Sequence, residues 1–356
     1  MRNASILYKR IVIAILSLKE RHFGYAQRLA ALVLVALTGA ANAAPPLLQL
    51  PINCQPGRDC WIANHFDHGT GQEVRDHRCG TMTYPRHNGI DFAIKNRQAL
   101  RDGVAVLAAA DARVLAIRDG VSDGTGKLSE QPPSSGQECG NGVVLDHEDG
   151  WQTQYCHLRE GSVKVLPGQT VAAGAALGLV GHSGKTEFPH LHFTLRRHGQ
   201  AVDPFAPAGV TSDCSANSPS LWLPSLASEL AYSTGNVFHL GVTTRVPTVD
   251  EIRDGGIALA PGTVLGPDVP VIVVFAEAFG LLKGDRLQLT LLGADGETIA
   301  SREIRMQKYH ARWTAFVGRH QPATGWTPGL YTASAVVLRE AESSPSAPLL
   351  QTFEVR

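Results

Sequence analysis

Phe188-Pro189-His190-Leu191-His192-Phe193-Thr194-Leu195 is the stretch from which the rest of the chain is read. From His190 to Leu195 the residues alternate with a period of two, the pattern of a half-buried β-strand. Residues two apart on a strand share a face, so His190 and His192 look into one space while Leu191 and Phe193 look into the opposite one. Two imidazoles aimed together suit a zinc site or a proton-transfer site. Taken alone, the pair fits a surface histidine ladder equally well, and the neighbouring segments decide between the two.

Upstream, Arg86-His87-Asn88-Gly89-Ile90-Asp91 places His87 and Asp91 four apart around a glycine, just before an apolar strand. That order predicts a tight loop turning both side chains toward one point. Val104–Ala109 and Arg113–Ile117 predict a hairpin-like pair about Asp111, and Asp119–Glu138 a surface loop. Val143–His147 and Trp151–Tyr155 flank Asp149-Gly150 as a second hairpin, which runs on into Tyr155-Cys156-His157-Leu158. No convincing helical period occurs here, so residues 81–208 read as an antiparallel β domain. His182 reads as solvated in its loop, with substrate contact as the alternative, and Asn141 as structural in its turn. Residues 44–80 read as an irregular, disulfide-tied arm in which His65, His68 and His77 are solvated.

Composition narrows the rest. The 356 residues are 44% apolar and 18% charged, with Lys+Arg and Asp+Glu balanced at 32 each. Such a chain has length for two domains, and its charge balance argues against nucleic acid as a partner. Residues 1–43 read as an export leader, with Arg28, the apolar run Leu29–Leu37 and Ala41-Asn42-Ala43 before the cut. That run is far short of the roughly 20 residues that span a bilayer, so no stable membrane insertion is expected after cleavage. Six cysteines follow and predict disulfides. Cys139 and Cys156 are placed to bridge the open end of the second hairpin, Cys54 and Cys60 to close a small loop, and Cys214 to tie back to the first domain.

Several segments together resemble the lysostaphin-type zinc metallopeptidases, including the β-lytic metallopeptidases. They are His87-Asn88-Gly89-Ile90-Asp91, Gly140-Asn141-Gly142-Val143-Val144, Tyr155-Cys156-His157-Leu158, Pro167-Gly168-Gln169 and Pro189-His190-Leu191-His192-Phe193, in the family's order. The resemblance covers about Thr81 to Pro207. It implies an all-β fold of the duplicated hybrid motif type and a Zn2+ held by His87, Asp91 and His192. A fourth position stays open for water, as in a catalytic site. His157 and His190 would be the catalytic pair, serving as general base and as donor to the oxyanion or leaving amine. The implied substrates are the stem and cross-link peptides of peptidoglycan, met in the periplasm or outside the cell. Thr186-Glu187-Phe188-Pro189 and the long Asp119–Glu138 loop depart from the family's commonest form and predict an altered cleft rim.

Residues 209–228 read as a linker. Residues 229–356 predict a β-sandwich of immunoglobulin-like type, from strands such as Val271–Phe275, Arg286–Leu292 and Leu330–Leu338. This part holds no clustered site residues and reads as a binding or spacing module. The expectation for the whole is a zinc endopeptidase of the bacterial cell wall. A non-catalytic wall-binding or regulatory protein, and a secreted protease acting on proteins, are the alternatives.

Overall fold

The computed structural model describes residues 44–124, 136–216, 218–339 and 346–356. The leader and the middle of the Asp119–Glu138 loop lie outside the described residues. The first body is an eight-stranded, antiparallel sheet in the order β1 (Cys60–Asn64), β2 (Ile90–Ile94), β9 (His190–Arg197), β6 (Trp151–Leu158), β5 (Asn141–Asp146), β4 (Ala112–Arg118) and β7 (Thr170–Val171). β10 (Gln200–Val202) adds to β9, and β3 (Ala105–Leu107) pairs with β8 (Ala176–Leu179) as a second small layer.

Period-two alternation makes this sheet two-sided. Ile90 opposes Phe193, Phe92 opposes Leu191, and Tyr155 opposes Phe193. All five side chains enter one core with Val143, Leu145 and Leu195. Leu48, Ile52, Leu221 and Trp222 belong to the same core. Part of the segment expected as a linker therefore packs onto the first body.

Three local expectations change. Cys60–Asn64 is a strand of the main sheet, although it lies in the segment read as irregular. Val104–Ala109 and Arg113–Ile117 do not pair with one another: β3 goes to β8, and β4 to β5 and β7. The turn between them is fixed from outside, because the Asp111 carboxylate accepts the Ala173 N–H at 2.7 Å. A short helix, α1 (Arg97–Asp102), also occurs, capped by Asn96 accepting from the Ala99 N–H.

The disulfides Cys54–Cys60 and Cys139–Cys156 form as expected, and Cys79–Cys214 ties the linker back to the first body. Residues from 236 onward build two further sheets. One runs β11 (Asn236–Thr243), β13 (Val271–Leu281), β16 (His310–His320). The other runs β12 (Val264–Leu265), β18 (Leu349–Val355), β17 (Gly329–Leu338), β14 (Arg286–Leu292), β15 (Thr298–Arg305). Ile272, Val274, Ala276 and Ala278 of β13 share one core with Leu287, Leu289, Tyr331 and Phe353 from the other sheet, so the two pack face to face. A second short helix, α2 (Val249–Asp254), opens with a Thr248–Glu251 capping box.

β13 is buried along its whole length. Its other face meets the first body, where Phe279 lies 5.1 Å from Trp61 and 6.0 Å from Phe188 between ring centroids. Burial on both faces explains why Val271–Leu281 reads as a continuous apolar run instead of alternating. Only Glu277 interrupts it with charge, and Arg312 meets it with Nη2 to Oε1 at 2.5 Å.

Candidate metal centre and its groove

β9 lies between β2 and β6, and its register assembles the centre. Asp91 opposes His192 across one edge, and Cys156 opposes His192 across the other. Directly opposed residues share a face, so all three point away from the apolar core. His87 arrives from the loop before β2. A Cβ on Gly89 would sit 2.9 Å from the His192 ring and 2.5 Å from the Phe193 carbonyl. The glycine is therefore needed for close approach, and not for the turn geometry expected from the sequence.

The side chains converge. Asp91 Oδ1 lies 3.1 Å from His87 Nε2 and 2.8 Å from His192 Nδ1, and those two nitrogens are 3.1 Å apart. One ligand atom from each of His87, Asp91 and His192 falls within 4.8 Å of the others, a grouping that could hold a metal ion. Cys54, Asp59 and Cys60 also cluster, but both of those thiols are spent in a disulfide.

The donor chemistry fits a cation. His87 Nδ1 lies 2.6 Å from the His65 carbonyl, which can only accept, so that nitrogen carries the proton. In neutral His87, the Nε2 lone pair then faces both a carboxylate oxygen and a second imidazole. The lone pair and the carboxylate oxygen, both acceptors 3.1 Å apart, are favourable only with a positive charge between them, a metal ion or a proton on His87. Asn64 Nδ2 donates to Asp91 Oδ2 at 2.8 Å, and Thr194 Oγ1 lies 2.9 Å from His192 Nε2, so outer partners orient each inner group. Burial alone would push Asp91 up, but the surrounding imidazoles hold its carboxyl well below the usual range.

His157 and His190 stand beside this cluster, their rings 4.7 Å apart. His157 Nδ1 faces the Ser183 carbonyl at 2.8 Å, and His190 Nδ1 faces that of Phe188 at 2.8 Å. Both Nδ1 atoms are therefore donors, leaving each Nε2 as the acceptor; His190 Nε2 lies 3.5 Å from Asp91 Oδ1. Burial, with the neighbouring His190 and His192 rings, holds His157 well below the ordinary imidazole value. Burial also lowers His190, outweighing the pull of Asp91. Strand alternation would send His157 into the core. A bulge prevents this: Gly142 faces both Cys156 and His157, and His157 takes the left-handed conformation at φ 64°.

A groove of about 550 Å³ leaves the cluster across the sheet. Its floor follows one register row, Thr194, Gln154, Val144 and Ala116, with the Cys139–Cys156 disulfide beside His192. Tyr84, Glu138, Lys185 and Arg196 also line it. The departure Thr186-Glu187-Phe188-Pro189 has a structural reason. Phe188 packs on Phe279 of β13, and Thr186 Oγ1 donates to the Phe188 carbonyl at 2.7 Å beside His190.

All five expected site residues thus come together. Asn141 is structural, as expected, with Nδ2 donating to the Val121 and Leu158 carbonyls. His147 bonds Asp111 and Thr153 and lies outside the centre, while His182 is buried against Gly124 instead of solvated. His65 and Asp76 are buried too, with His65 packed against His77, Phe205 and Tyr232, and His68 meets Asp203 at 2.7 Å. The histidines of this segment are packed residues, and His65 supports His87 through its carbonyl. Asn64 and His65 carried no sequence signal, since neither belongs to a periodic run long enough to read.

Residues 85–204 match the model for peptidase family M23. Peptidoglycan DD-endopeptidase ShyA of Vibrio cholerae is 32% identical over 117 residues, covering 33% of this chain and 22% of that protein. DD-carboxypeptidase/endopeptidase Mpg of Neisseria meningitidis is 31% identical over 126 residues, covering 35% and 24%. Cell division protein DipM of Caulobacter vibrioides is 34% identical over 119 residues, covering 33% and 18%. The chain thus spans no more than 24% of the length of these relatives. Among solved structures, the catalytic domain of lysostaphin from Staphylococcus simulans is similar at 22% identity and a TM-score of 0.26, over 40% of this chain and 86% of that one. Over residues 85–204, this chain is therefore similar to peptidase family M23.

Proposed function

We propose that the protein is a zinc-dependent endopeptidase that hydrolyses peptide cross-links of bacterial peptidoglycan. The observation that carries this reading is the convergence of His87, Asp91 and His192 beside two neutral histidines, at the end of an open groove. His87 Nε2, Asp91 Oδ1 and His192 Nδ1 would hold the zinc. When bound, zinc supplies a Lewis acid that activates water at neutral pH and polarises a scissile carbonyl. His157 and His190 take up and return the proton at Nε2, since their Nδ1 hydrogens are fixed on backbone carbonyls. Their imidazole N–H groups then stabilise the oxyanion or protonate the leaving amine. The substrate class rests on the family and on the peptidoglycan enzymes named above.

Three disulfides among the described residues support action in an oxidising compartment, the periplasm or outside the cell. The C-terminal sandwich reads as immunoglobulin-like. Its sheet orders fit that type, and Tyr331 near the start of β17 donates to the Thr327 carbonyl at 2.8 Å, as in a tyrosine corner.

Purified sacculi digested with the chain from Ala44 onward, with and without a chelator, test the reading beside His192→Ala. Cross-linked dimers are expected to fall to monomers only with untreated wild type, and His192→Ala to lose bound zinc by elemental analysis. Unchanged muropeptides in all samples, with zinc still bound to wild type, would favour a wall-binding role or a protein substrate.

A further inference from the structure

β9 places His192, Thr194 and Arg196 on the groove face at steps of two residues. At about 3.3 Å per residue, the Arg196 backbone lies about 13 Å from that of His192. Arg196 is half-buried, and desolvation lowers its guanidinium from the ordinary value. Among the described residues no carboxylate pairs with it and no side-chain hydrogen bond holds it. Two other arginines with little exposure are matched. Arg312 faces Glu277 and Arg339 faces Asp285. Within the groove, Arg118 is committed to the carbonyls of Gly136 and Gly140, and the Glu138 carboxylate accepts the Gly136 N–H. Lys185 adds a second positive charge at the wall.

A half-desolvated guanidinium has already lost part of its hydration and gains most from an anion that presents two acceptor oxygens. We propose that Arg196 is a carboxylate-binding subsite, which takes a carboxylate of the bound peptide about four extended residues from the metal centre. Thr194 and Gln154 lie on the floor between the two points and offer hydrogen bonds to the intervening peptide. The subsite draws its substrate from the endopeptidase reading, but its test does not depend on turnover. It makes the enzyme selective for stem peptides whose carboxylates are free over those in which they are amidated.

Calorimetric titration of the zinc-loaded chain with a monomeric stem peptide, as the free acid and as the fully amidated form, measures this directly. Wild type is expected to bind the acid about 10- to 100-fold more tightly, the range of one charge-assisted contact. Arg196→Gln should bind both forms alike, at the amidated level, and Arg196→Lys should keep part of the preference. Unchanged thermal unfolding of both variants excludes loss of fold. Equal binding of the two forms by wild type, binding of neither, or a preference that survives in Arg196→Gln overturns the proposal. With cross-linked peptides as substrates, Arg196→Gln should raise KM for the acid form and leave kcat nearly unchanged. If neither form is cut while wild type still prefers the acid, the endopeptidase reading fails and the subsite stands.

Discussion

His157 shows what the centre demands of a single residue. Three of its four histidines, His87, His157 and His190, place Nδ1 against a backbone carbonyl, those of His65, Ser183 and Phe188. A carbonyl only accepts, so the fold itself assigns the tautomer and aims each Nε2 at the site. For His157 this requires left-handed backbone, which disfavours any residue with a Cβ. The strain persists because the Cys139 carbonyl receives the His157 N–H at 2.8 Å and the bulge fixes the turn. His157→Gly relieves the strain and His157→Ala keeps it. Both should lose about 10²- to 10⁴-fold in hydrolysis, the usual contribution of a general acid–base group. In denaturant unfolding, His157→Gly should nevertheless be more stable than His157→Ala by about 1 kcal/mol. Equal stability of the two would show that the left-handed turn stores no strain.

At the scale of elements, the centre is a consequence of strand order. β9 brings His190 and His192 between Asp91 on β2 and Cys156 on β6, and the disulfide from Cys156 pins the Glu138–Gly140 segment along the groove. Replacing both cysteines by serine should lower stability by about 3 kcal/mol, the loop-closure value for a ring of this size. It should also slow hydrolysis while leaving zinc content unchanged, because none of the candidate ligand atoms lies on that segment. Loss of zinc on elemental analysis would instead place the disulfide in support of the metal cluster. The same elements explain what the sequence disclosed. His190–Arg197 was readable because alternation is local, and Arg286–Leu292 and Leu349–Val355 for the same reason. Cys60–Asn64 was not, since five residues among Pro, Gly and Asp become a strand only when β2 lies alongside. Val104–Ala109 and Arg113–Ile117 resembled a hairpin because a turn residue separates them, whereas their partners are far along the chain. The five candidate site residues were legible through short motifs; Asn64 and His65 act through tertiary neighbours that no local pattern encodes.

At the scale of the molecule, the C-terminal sandwich packs onto the sheet that carries the candidate centre. Phe279 and Phe238 cover Trp61 of β1, and Tyr309 donates to the Ala63 carbonyl, one residue before the Asn64 that orients Asp91. Arg312 closes the contact: it pairs with Glu277, lies over the Phe238 and Phe279 rings at 5.6 and 5.5 Å, and donates to the Lys95 carbonyl at 3.0 Å. Burial alone would push Glu277 up, but Arg312, helped by His239, pulls it below the usual carboxylate value. A carboxylate lowered on folding contributes stability above its unfolded pKa of about 4.3 and loses it as pH falls through the lower folded value. In Arg312→Met the sign reverses. Glu277 then keeps only His239, 3.0 Å away, as a partner, its pKa rises, and acid stabilises the folded state relative to neutral pH. Arg312→Met should therefore cost about 3–5 kcal/mol at pH 7, and its deficit against wild type should shrink as pH falls toward about 4. Urea unfolding of both proteins across that range measures the gap. A gap that stays constant with pH would mean that Arg312 acts through its packing on Phe238 and Phe279, and that its charge contributes little to holding the sandwich against the strand behind the metal centre.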